Sequence, residues 1–192
     1  RSRGLGDVYK RQLQYRYVSV HDYLHTYNQP GTRVVDLMLP NLVDYDWWLS
    51  MGSSTPTSLR TQVDVMREIS IVTGGRVHCF VPYDPLRQVA FELDHANEDS
   101  LELVKDAIER NGCVGVKLYP PMGFAPLGNS DLHGPNGRSY WAREWLPGWT
   151  SRADLGERLD EAMMKLLSWC EAKKVPVMAH TAQSNGVTPD FE

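Results

Sequence analysis

Apolar positions along the chain follow two patterns in alternation. Four short runs are apolar almost throughout: RVVDLML (33–39), RVHCFVPY (76–83), CVGVKLY (113–119) and VPVMAH (175–180). Such runs suit strands that are covered on both faces. Between them, apolar residues recur at helical spacing. Leu59, Val63, Met66 and Ile69 to Ile71 share one face before the stop at Gly74-Gly75. Leu101, Val104, Ala107 and Ile108 follow the N-cap candidates Asp99-Ser100 and end at Asn111-Gly112. Leu155, Leu159, Met163, Leu166, Leu167 and Cys170 repeat the pattern and run into lysines that suit a helix C-terminus. Residues 13–30, with Tyr15, Tyr17, Val20, Tyr23, Leu24 and Tyr27, read as a helix ahead of the first run. Strand and helix alternating at this spacing predict successive βα units, and hence a parallel sheet in one domain.

Each predicted strand is followed by polar or proline residues: Pro40-Asn41, Asp84-Pro85, Pro120-Pro121 and His180. In α/β folds the chemistry collects at the C-terminal ends of parallel strands. No G-x-G-x-x-G turn follows any of them, which weakens a nucleotide-binding sheet. His180 is placed to offer a ring nitrogen to a metal or a substrate. Lys117 stands two residues before the end of its strand. There it could balance a neighbouring acid, polarise a substrate, or be carbamylated so that its new carboxylate bridges metals. An ammonium left unpaired in a strand core would cost several kcal/mol.

Composition narrows the class. A hydrophobic share of 42% belongs to a globular chain, and the net charge of −4 argues against a nucleic-acid partner. No apolar run reaches the ~18 residues of a membrane helix. Cys79, Cys113 and Cys170 are scattered within apolar stretches and read as buried thiols of a reducing, cytoplasmic compartment. Residues 2–12, SRGLGDVYKRQ, resemble the codon-by-codon translation of a transposon-based sequencing adapter. Residues 1–12 are therefore set aside as a non-native segment, and 13–192 are read as an internal fragment of a longer chain.

VGVKLYPPMGF followed by KKVPVMAHTAQSNG resembles the amidohydrolase-related family of metal-dependent hydrolases, which fold as (β/α)8 barrels. The resemblance spans about residues 33–186. It implies an α/β fold, a partial TIM barrel comprising about strands 2 to 5 with their helices. Lys117 then falls in the fourth-strand position and His180 in the fifth, both as metal ligands. The implied cofactor is a divalent metal, zinc first. Its water would attack the carboxamide, ester or lactone carbonyl of a small-molecule substrate. The H-x-H pair of the first strand would lie upstream and the catalytic aspartate beyond Glu192. Decarboxylases and hydratases on the same barrel, and a metal-free barrel acting as a binding module, are the alternatives. The full-length protein is open to homo-oligomerisation. Half a barrel, with two open edges, is expected to be inactive and poorly soluble.

Residues 122–150 form a connection far longer than the ~2–6 residues usual after a strand. Its aromatic content, Phe124, Tyr140, Trp141, Trp145 and Trp149, suggests a cover over the strand ends. Within it Trp141 and Arg138 are candidate substrate contacts, together with Tyr119 and Asp84 nearer the strands. DYDWWL (44–49) is a candidate wall of the same mouth. HDYLH (21–25) puts two histidines on one helix face, but has Asp where a zincin helix has Glu, and is read as a surface pair. His78 is expected to be a packing histidine and His95 a solvated one.

Overall fold

The computed structural model describes residues 15–28, 31, 34–49, 56–131 and 146–181. Among them the helices are α1 (Arg16–Tyr27), α2 (Asp46–Leu49), α3 (Leu59–Val72), α4 (Pro85–Glu92), α5 (Ser100–Glu109) and α6 (Leu155–Lys173). The strands are β1 (Phe80–Pro82), β2 (Gly115–Leu118) and β3 (Val177–Ala179), with short 3₁₀ turns between β2 and α6. The chain is a mixed α/β protein.

The helix starts are chemical. Ser58 Oγ accepts the Thr61 N–H at 3.1 Å to open α3, and Asp99 Oδ1 accepts the Glu102 N–H at 3.0 Å to open α5. α6 ends on Lys174 in the left-handed region at φ 56°, whose N–H returns to the helix carbonyls. The periodicity did not single out α4. Its signal is Asp84-Pro85: Asp84 Oδ1 accepts the Leu86 N–H at 2.9 Å, and Pro85 needs no partner in the first turn.

The three strands lie parallel in the order β1-β2-β3, with Phe80 opposite Gly115 and Lys117 opposite both Pro82 and Met178. Residues 38–42 continue this order on the far side of β1 through the bridges Met38–Val77 and Asn41–Phe80. The first predicted strand, 33–39, thus pairs at its end rather than along its length. Pro40 explains the broken ladder. The His78 N–H donates to the Met38 carbonyl (3.0 Å) and the Phe80 N–H to the Pro40 carbonyl (2.9 Å), but proline has no N–H to complete the rung between them.

One face of the sheet, with Val77, Cys79, Val81, Val116 and Leu118, is buried in a core shared with α3, α4, α5 and α6. The opposite face carries Phe80, Pro82, Lys117 and Met178. Gly115 is required there, because a Cβ would stand 2.3 Å from Phe80 Cε1 and 2.8 Å from the Pro176 carbonyl oxygen. Met178 is 39% exposed and Leu39 43%, so this face is only partly covered by the described residues.

Gly156 marks a second close approach, where α6 meets the turn Asn129–Asp131. Asp160 carboxylate oxygens accept the N–H groups of Asn129 (2.9 Å) and Ser130 (3.0 Å), which draws the turn onto the helix. A Cβ at 156 would lie 2.7 Å from the Asn129 carbonyl oxygen and 2.8 Å from Ser130 Cα. These are backbone atoms and cannot rotate away. Gly156→Ala is therefore expected to lower stability by about 1–3 kcal/mol in urea denaturation, the usual cost of overpacking. A neutral result would show that the turn yields.

Candidate functional site

The parallel strands deliver polar groups to one end of the sheet. Asp44 follows the 38–42 segment, Asp84 follows β1, Lys117 and Tyr119 close β2, and His180 follows β3. The ladder reaches beyond the strands and fixes their exits. The Tyr83 N–H donates to the Lys117 carbonyl at 3.1 Å, and the His180 N–H donates to the Leu118 carbonyl at 3.1 Å. The second of these bonds sets the His180 ring beside Tyr119, with ring centroids 4.7 Å apart and planes at 36°. His180 Nε2 is buried and has no hydrogen-bond partner among the described residues.

Lys117 is 7% exposed, and no hydrogen bond or ion pair engages its ammonium among the described residues. Burial lowers its pKa from the usual lysine value. It borders a cavity of about 10 Å³ that is also lined by Asp44, Asp84, Tyr119 and Phe124, with room for about one water.

Behind the cavity lies a buried charge cluster. The Arg87 Nη2 donates to Asp44 Oδ1 at 2.8 Å and to Asp46 Oδ2 at 2.8 Å, and its Nε donates to Asp44 Oδ2. Burial opposes the guanidinium charge, but the bonds to Asp44 and Asp46 outweigh it, and the Arg87 pKa is raised. Asp84 stands next to this cluster. Its Oδ1 accepts from Trp48 Nε1 (2.9 Å) and from the Leu86 N–H, while its Oδ2 has no partner among the described residues. Burial, then repulsion from Asp44, push the Asp84 carboxyl up to about 7, against the pull of those two hydrogen bonds and of Arg87.

The structure therefore brings three of the expected residues together: Lys117, Tyr119 and His180. Asp84 adjoins them and lines the small cavity, but it is 2% exposed and serves first as the N-cap of α4. Arg138 and Trp141 lie outside the described residues. DYDWWL contributes in an unforeseen way: Asp44 and Asp46 hold Arg87, Trp47 meets Trp149 edge-on at 5.6 Å, and Trp48 stacks on Phe124 at 6.1 Å. His95 is exposed, as expected, and stacks on Trp149 at 5.1 Å. His21 and His25 stack on the outside of α1 at 6.2 Å. Sequence reasoning missed Arg87. The available signal was a basic residue in the first turn after an Asp-Pro helix start, where the helix dipole disfavours positive charge unless acids hold it.

As to a metal, no three His, Cys, Asp or Glu side chains converge as a ligand set among the described residues. His180 Nε2 is one free nitrogen donor, and Lys117 would become an oxygen donor only after carbamylation. No family model, curated protein or solved structure matches the chain. No helix among the described residues is long and apolar enough to cross a membrane.

Proposed function

We propose that the chain is part of a metal-dependent hydrolase built on a (β/α)8 barrel, with the candidate site at the mouth formed by the strand ends. The reading rests on one observation. Segment 38–42, β1, β2 and β3 lie parallel in chain order, and the last two bring Lys117, Tyr119 and the unpartnered His180 Nε2 side by side. In-order neighbours suit a barrel, whereas a doubly wound sheet reverses order at its switch point.

In this reading His180 is a metal ligand, Tyr119 holds its ring in place, and Lys117 is either a charge partner or a carbamylated ligand. A depressed lysine pKa favours the second role, because only the neutral amine combines with carbon dioxide. A bound divalent ion, zinc first, would supply an activated water to a carboxamide, ester or lactone carbonyl of a small molecule. Two donors are fewer than the three protein ligands of a catalytic zinc site, so they would hold the ion only with further ligands.

Calorimetric titration with zinc in bicarbonate buffer tests the ligands. The full-length protein, which supplies the further ligands, is expected to bind zinc, with His180→Ala weakening it about 10–100-fold. Absence of zinc binding by the full-length protein would overturn the metal reading. A panel of esters, lactones and carboxamides assayed on the full-length protein with added zinc tests the reaction. Carbon dioxide release from carboxylated substrates, without hydrolysis, would favour a decarboxylase on the same scaffold. A binding module without metal is the second reading, favoured by the missing third ligand among the described residues.

A further inference from the structure

At the other end of the sheet two thiols meet. Cys79 immediately precedes β1 and Cys113 lies two residues before β2. The Val114 N–H donates to the Cys79 carbonyl at 3.0 Å, and Phe80 stands opposite Gly115, so adjacent parallel backbones carry the two cysteines on a diagonal. Strand neighbours at ~4.8 Å fall within the Cα separation that a disulfide spans. The Sγ atoms are 3.0 Å apart, about 1 Å beyond a covalent S–S bond of ~2.05 Å. The His78 Nδ1–H donates to the Gly112 carbonyl at 2.9 Å and straps the residue before Cys113 to the strand that carries Cys79. Both thiols are buried, but Gly112 and Val114 on either side of Cys113 are exposed, so the cover over the pair is thin.

We propose that Cys79 and Cys113 are a reversible dithiol–disulfide pair that fastens β1 to β2 when the chain meets a peroxide. This rests on the thiol geometry alone and is independent of the hydrolase reading. Cys79 is the attacking sulfur. The hydrogen bond between the two thiols, then a backbone hydrogen bond and the positive charge of Arg16, hold its pKa below the usual thiol value against the effect of burial. The same hydrogen bond, then burial, raise that of Cys113. The Cys79 thiolate attacks one peroxide oxygen, the O–O bond breaks, and the product is a sulfenic acid and one water. The Cys113 sulfur then attacks the Cys79 sulfur, forms the S–S bond and expels the sulfenic oxygen as a second water. The two thiols lose two protons and two electrons, and the peroxide gains both.

The test treats the unaltered chain with hydrogen peroxide, alkylates it under denaturing conditions, and maps the peptides. The expected result joins the Cys79 and Cys113 peptides, leaves Cys170 alkylated, and raises the thermal midpoint by about 5–10 °C, with all changes reversed by dithiothreitol. In Cys113→Ser, dimedone is expected to label Cys79. In Cys79→Ser, labelling of Cys113 should be several-fold slower. Three alkylated cysteines after peroxide, a bridge to Cys170 or between chains, or sulfinic acid without a cross-link would each overturn the proposal. The decisive measurement needs no variant to fold.

Discussion

Replacing Arg87 with methionine is expected to destabilise the chain by about 3–5 kcal/mol at neutral pH, the largest single-residue effect we anticipate. Arg87 is 9% exposed and is shared between Asp44 and Asp46, both buried. Methionine fills much of the same volume, so the loss reads the charge and not a cavity. It takes the bridging guanidinium away from two buried carboxylates, beside a third in Asp84. Arg87→Lys keeps the charge but cannot bridge two carboxylates with a planar fork, and is expected to fall between wild type and Arg87→Met. Combining Asp44→Asn and Asp46→Asn with Arg87→Met should recover most of the loss, because removing a buried ion cluster as a whole is far cheaper than breaking it. Urea denaturation of the four proteins measures this. A loss below about 1 kcal/mol for Arg87→Met would mean that water reaches the cluster and screens it.

The same cluster shows where sequence reading stops. The α3, α5 and α6 helices were legible because each buries a regular stripe and begins or ends on a capping residue, such as Ser58 for α3 and Asp99 for α5. The positions of β1, β2 and β3 were legible from their apolar runs, but not their lengths, and the first run, 33–39, makes only an isolated bridge at Met38 among the described residues. Ladder length depends on which N–H groups meet a carbonyl, and Pro40 removes one of them. α4 escaped notice because its buried face includes Arg87 and Gln88, polar residues that a hydrophobic pattern counts as surface. Gln88 has its own reason to be inside, since its Oε1 accepts the Leu101 N–H at 2.9 Å. The proximity of Lys117, Tyr119 and His180 was legible because strand ends are short and their neighbours are fixed by register. The pairing of Arg87 with Asp44 was not, because it joins residues far apart in the chain and follows from no local periodicity. Arg138 and Trp141 remain sequence candidates outside the described residues.

Asp84→Asn is expected to remove a pH dependence that the wild-type chain carries. The Asp84 carboxyl is raised from the ordinary 3.8 to about 7, by burial first and by Asp44 second. Between those two values the unfolded chain releases this proton and the folded chain keeps it. Its contribution is thus complete below about pH 4 and is lost as pH rises through about 7. A tenfold difference in proton affinity between the folded and unfolded chain is worth about 1.4 kcal/mol, so the decline amounts to about 2–4 kcal/mol in a cluster where neighbours relax together. Asparagine has nearly the same shape. Its side-chain oxygen can still accept from Leu86 and Trp48, which preserves the cap, and its amide nitrogen takes the place of Asp84 Oδ2, which is buried without a partner among the described residues. The variant should therefore match wild type below about pH 4 and exceed it by about 2–4 kcal/mol near pH 8, read as urea midpoints across that range. Parallel curves for the two proteins would show that Asp84 is ionised in the fold at neutral pH. The carboxylate would then need a positive partner, and Lys117, which borders the same cavity, would be the residue to replace next.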